Sequence, residues 1–89
     1  MEDVIKLHSR GENNNFLKLM KKPDDSKSKT YILKTDSPTL RVGNTSTNKM
    51  FIDPSGGPMI VVGSELKEAK AIVKSIDFIV GYGYTITFE

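Results

Sequence analysis

Hydrophobic residues in this chain come in short runs, most of them alternating with polar residues at every second position, and the runs are separated by Gly, Pro, Asn and Asp. A period of two is the pattern of strands that bury one face. The clearest case is the C-terminal segment, where Tyr84, Ile86 and Phe88 fall on one face and Thr85, Thr87 and Glu89 on the other. The run from Ala71 to Val80 reads as its partner, across Gly81-Tyr82-Gly83. Val4 to His8, Phe16 to Lys21 and Lys29 to Lys34 read as further strands, the last rich in aromatic and β-branched residues. Arg10 to Asn15 and Pro23 to Ser28 carry turn and loop chemistry.

Two central segments share one grammar. At an offset of 20 residues Lys29/Lys49, Ile32/Ile52, Pro38/Pro58, Val42/Val62 and Gly43/Gly63 are identical, and Tyr31/Phe51 and Leu40/Ile60 are close in kind. Each segment reads as strand, turn and return strand, with Pro opening the return strand, where no ladder donor is needed, and Gly marking a sharp exit. The expectation is a duplicated hairpin, over 29–44 and again over 49–64.

The segment after it is ambiguous. Ser64-Glu65-Leu66-Lys67-Glu68 has a Ser in N-cap position followed by acids, as at a helix start. One helical turn near 65–69 followed by strand is the preferred reading, with at most one short helix near 65–75. The expected fold is therefore mainly β: a small antiparallel barrel or sandwich of about six to eight short strands. The layout, with Val62-Gly63-Ser64-Glu65-Leu66 ahead of a terminal hairpin, resembles small SH3-like or OB-like barrels. That resemblance is one of architecture and implies no function.

At 89 residues the chain has room for one domain, 1–89, and one core. The absence of cysteine removes disulfides, thiolate nucleophiles and thiolate metal sites together, and fits a reducing compartment. The N-terminus has mixed charge, and no run approaches the ~20 apolar residues of a membrane span. The expected location is cytoplasmic, without membrane contact. The net charge of +2 hides an asymmetry: residues 1–49 hold 10 Lys/Arg against 6 Asp/Glu, and residues 50–89 hold 3 against 5. A basic half favours a polyanionic partner or protects strand edges.

Catalytic signals are weak. The single histidine, His8, sits in an alternating run and reads as an exposed strand residue. One His and no Cys argue against zinc, and no phosphate loop, dinucleotide fingerprint or calcium loop is present, so no catalytic residue, metal or cofactor is expected. Asp24 and Asp25 read as solvated loop residues. Asp53-Pro54-Ser55-Gly56-Gly57-Pro58 is the most distinctive hexapeptide. Successive backbone N–H groups in such a turn can cradle an anion, which makes Asp53, Ser55, Gly56, Gly57 and Lys49 candidate ligand-binding residues. Lys18, Lys21, Lys22, Lys34 and Arg41 are candidate phosphate contacts, and Tyr82, at a turn tip, a candidate stacking residue. The leading expectation is a non-catalytic binding module that takes a protein partner, or a second copy of itself, through β-edges. Nucleic-acid binding is second and small-anion capture third. The size also suits a phage or mobile-element accessory protein that inhibits a host factor.

Overall fold

The computed structural model describes residues 2–8, 17–23, 29–35 and 39–89. These residues form nine strands: β1 (Val4–Lys6), β2 (Leu17–Lys21), β3 (Thr30–Thr35), β4 (Leu40–Asn44), β5 (Met50–Pro54), β6 (Ile60–Val61), β7 (Glu65–Leu66), β8 (Ala71–Ile79) and β9 (Gly83–Phe88). All pair antiparallel. A curled six-stranded sheet, a half-barrel, has the order β1-β2-β3-β9-β8-β7, and a small sheet has the order β4-β5-β6. The mainly β architecture is as the alternation indicates. Among the described residues there is no helix, and so none long and apolar enough to cross a membrane.

Among the described residues the two arms of the hairpin expected over 29–44 do not pair with each other. β3 pairs with β2 and β9, while β4 lies in the other sheet against β5. Burial explains the choice. Tyr31, Ile32 and Leu33 are all buried, so β3 has both faces covered and sits in the interior of its sheet, whereas β4 exposes Arg41, Val42 and Asn44 as an edge strand does. The second copy is a hairpin, β5 with β6. Its counterpart shares residue types without sharing a partner. Pro38, the Arg10 to Asn15 turn and the Asp24-Asp25 pair lie outside the described residues.

The helical turn favoured near 65–69 is replaced by a two-residue strand, β7, and a tight turn over 67–70. Leu66 O accepts from both Ala69 N and Lys70 N, which is one turn of helix-like bonding. Lys70 then takes φ 54°, a left-handed conformation that ends any helix and launches β8. Of the acids after Ser64, Glu65 therefore lies in β7 and Glu68 in the turn.

The core follows from register. Ile5, Leu19 and Leu33 lie directly opposite one another across β1-β2-β3, and Tyr31, Ile86 and Ile76 do so across β3-β9-β8. All six are buried. Ile52 and Ile60, opposite each other in β5 and β6, cover this concave face and are 0 % and 1 % exposed. Tyr31 packs edge-on against Phe88 with ring centroids 5.6 Å apart, and its hydroxyl donates to the Glu2 carbonyl at 2.6 Å. Burial, with smaller contributions from the Asp3 and Glu2 carboxylates, holds the Tyr31 phenol above its ordinary ionisation range.

The half-barrel nearly closes on itself. β1 and β7 are opposite ends of the strand order, yet His8 N, just past β1, donates to Glu68 Oε2 in the turn after β7 at 2.6 Å. Two cavities flank this seam. One of about 280 Å³ is lined by Glu2, Ile5, Glu68, Ala69 and Lys70, and one of about 420 Å³ by His8, Pro58, Lys67 and Glu68.

Candidate functional site

The Gly-rich turn between β5 and β6 is occupied by packing. The Ser55 N–H donates to Thr39 O and the Gly57 N–H to Pro54 O, so two of the donors an anion would need are already used. The Asp53 carboxylate is buried and pairs with Arg41, its direct neighbour across β4-β5, at 2.5 Å. A charge so placed needs its partner, and its sign opposes an incoming anion. Lys49 precedes the opposite end of β5, about 14 Å from Asp53 at a strand's rise per residue, and its side chain lies against Gly63. Asp53, Ser55, Gly56, Gly57 and Lys49 thus do not converge on one ligand position.

The glycines of the turn have a mechanical reason. Gly56 takes φ 83°. Gly57 is buried, and a Cβ there would collide with the Leu17 side chain at the start of β2. The turn therefore seats the small sheet on the large one. Gly57→Ala is expected to cost about 1–3 kcal/mol through overpacking. Urea denaturation measures it, and an unchanged midpoint would mean that the turn is not seated on Leu17.

The convex face of the large sheet is different. Side chains alternate between faces along a strand, so the residues between the buried ones share the outer side. Val4, Met20, Ile32, Thr85 and Asp77 are level across β1-β2-β3-β9-β8. One step along, Lys6 lies opposite Lys18 and Lys18 opposite Lys34. Three lysines therefore stand side by side on adjacent strands, spanning about 10 Å at the usual strand spacing. Lys6 and Lys34 are exposed and Lys18 is half-buried.

Of the six sequence candidates for nucleic-acid contact, this arrangement brings together Lys18 and Lys34; Lys22 and Tyr82 form a separate pair, with Lys22 about 13 Å along β2 from Lys18 at a strand's rise per residue. Lys22 continues the outer face of β2, its N–H bonding to Thr30 O, and its ammonium lies 5.7 Å from the centroid of the Tyr82 ring. Such a cation over an aromatic face is attractive. Lys21 is level with Tyr31 and so leaves on the other side of the sheet. Arg41 is committed to Asp53 in the small sheet. Lys6 was missed by sequence reasoning. Its signal was parity with Val4 in the first alternating run, but its neighbours depend on a register that no single strand reveals.

No protein-family model, curated protein or solved structure matches the chain. The reading of the face rests on its own chemistry. Like charges directly opposite on adjacent strands are destabilising. Three in a row place a line of positive charge across β1, β2 and β3. Among the described residues the two large, most exposed apolar side chains, Phe78 at 62 % and Val80 at 88 %, belong to the β8-β9 hairpin. Phe78 pairs edge-on with Tyr84 at 5.2 Å and shares the Ile76 side of β8, opposite the lysine face.

Proposed function

We propose that this chain is a non-catalytic binding module and that its partner is a nucleic acid, bound at the Lys6-Lys18-Lys34 level of the outer face, one step beyond the covered Ile32. The observation that supports this reading is the in-register row Lys6-Lys18-Lys34. Ammonium groups in a line suit a polymer whose charges also come in a line, and phosphate contacts of this kind supply sequence-independent affinity. Tyr82 beside Lys22 adds a second cationic and aromatic pair further along β2. A protein partner docking by strand addition would use an open edge such as that of β4, but no residue pattern on that edge selects one.

The test is titration of a fluorescently labelled oligonucleotide at low salt, followed by anisotropy. Lys34→Gln is expected to weaken binding roughly tenfold, the size of one lost charge-assisted contact. Lys49→Gln, which removes an exposed lysine of the small sheet, is expected to leave affinity unchanged. Equal affinities for the two variants would set the lysine row aside.

A further inference from the structure

β8 is paired unequally along its two edges. On one edge it follows β9 from Val73 to Ile79. On the other, β7 reaches only Ala71 and Ile72. Val73 adds one more pair of bonds there, donating to Ser64 O and accepting from Gly63 N. Gly63 has φ 89°, and the residues before it belong to the small sheet, where Val62 N donates to Met50 O. Among the described residues nothing pairs with this outer edge of β8 from Lys74 to Ile79.

The phase of the open edge follows from the ladder. Phe88 N donates to Lys29 O, so Phe88 turns its backbone polar groups toward β3, and alternation turns Ile86 and Tyr84 the same way. Their opposite residues on β8, Ile76 and Phe78, therefore turn N–H and C=O away from β9 and onto the open edge, while Asp77 bonds to β9. Unpaired strand edges of this kind are templates for another strand. The edge also carries the exposed Phe78 and runs into the exposed Val80, whereas the edge of β4 carries Arg41 and Asn44.

We infer that the occupant is a second copy of this chain, its β8 added antiparallel to the first across a two-fold axis. Such an axis sets one residue opposite its own copy, and the residues of the edge choose which. An axis at Asp77 would set two carboxylates directly opposite each other, which is destabilising. An axis at Ile76 would bring Phe78 level with Lys74 of the other copy, at the bulge that interrupts β8. An axis at Phe78 avoids both. It lets the two Phe78 backbones exchange N–H···O=C bonds, sets the two exposed rings side by side, and brings Val80 of each copy level with Ile76 of the other. A pairing confined to 76–80 falls below the ~1,200 Å² of stable interfaces, so the dimer is weak and concentration-dependent. The lysine row lies on β1-β2-β3, away from this edge, and each copy keeps its own.

The test is a concentration series on the full chain. Sedimentation equilibrium is expected to give the monomer mass of 9.9 kDa at low concentration and to approach twice that mass near the solubility limit. Hydrogen exchange followed by NMR over the same series reads the register. When nine-tenths of the chain is dimeric, the Phe78 amide should exchange about tenfold more slowly, because only the monomer leaves it open. The Asp77 amide, already held by β9, should keep its rate. Phe78→Lys places two ammonium groups at the axis and should stay at the monomer mass throughout, with circular dichroism confirming its fold. Val42→Lys, the same change at the β4 edge, should dimerise as wild type does. The inference is overturned if wild type stays at 9.9 kDa throughout, if the mass doubles while the Phe78 amide does not respond, or if Phe78→Lys still dimerises. A chain that stays monomeric while an added extended peptide slows the Phe78 amide would give the edge to a foreign strand and equally overturn the second copy.

Discussion

Replacing Ile52 with Ala is expected to cost about 4 kcal/mol, within the range measured for buried Ile or Leu truncations. A domain of this length has a total stability on the order of 5–10 kcal/mol, so the variant should be partly unfolded at room temperature. The size of the effect follows from position. Ile52 is 0 % exposed, lies opposite Ile60 in β6, and belongs to the single core that the small sheet shares with the large one. Val42 provides the comparison. It lies opposite Ile52 in β4, on the same face of the same sheet, but is 38 % exposed. Val42→Ala should cost less than about 1 kcal/mol. Urea denaturation of both variants measures the contrast. Similar small costs would mean that the small sheet does not pack on the large one and that the single core is wrong.

Much of this fold is legible in the sequence, and the reasons are local. Tyr84, Ile86 and Phe88 alternate with Thr85 and Thr87, and the alternation gives β9 and its buried face. The apolar run from Ala71 gives β8, and Gly81 and Gly83 give the turn between them. Pairing is not local. Tyr31-Ile32-Leu33 looks like the first arm of a hairpin because a hairpin-like segment follows it, yet its unbroken apolar run also suits a strand covered on both faces. The second reading holds, and the repeat at an offset of 20 therefore preserves residue types on strands with different partners. The turn over 67–70 was illegible for another reason. A Ser followed by acids begins helices and tight turns alike, and Lys70 at positive φ decides between them without a glycine to announce it.

The candidate site was half legible. Lys18, Lys22, Lys34 and Tyr82 could be named from residue type and turn position, but so could Lys21 and Arg41, which the fold sends elsewhere. Basic composition cannot separate these groups, because the separation is made by strand parity and by the register of β1 on β2 and β2 on β3. The Gly-rich turn carries a packing role that its residue types do not announce. Gly56 takes a positive φ, and Gly57 closely approaches Leu17, a contact across sheets that the hexapeptide alone does not reveal.

The paired substitution Lys6→Glu/Lys34→Glu is expected to remove nucleic-acid binding, by at least roughly 100-fold at low salt for two contacts turned repulsive. The same change should not destabilise the fold. It converts a row of three like charges into Glu-Lys-Glu, so both cross-strand pairs become attractive, at about 0.2–1 kcal/mol each. Thermal unfolding should therefore occur at the same or a higher temperature while binding is lost. Opposite signs for stability and binding separate a face kept for a ligand from a face kept for folding. A variant that melts lower and still binds would reverse the assignment.

The most direct measurement is the salt dependence of affinity for a single-stranded oligonucleotide, plotted as log Kobs against log salt concentration. Three lysines displacing counterions from a single strand give a slope of about −2. The wild-type chain should show that slope, and the Lys6→Glu/Lys34→Glu variant should show no measurable binding even at the lowest salt. A slope near zero, or the same slope in both proteins, would contradict the assignment of the Lys6-Lys18-Lys34 row as the binding surface.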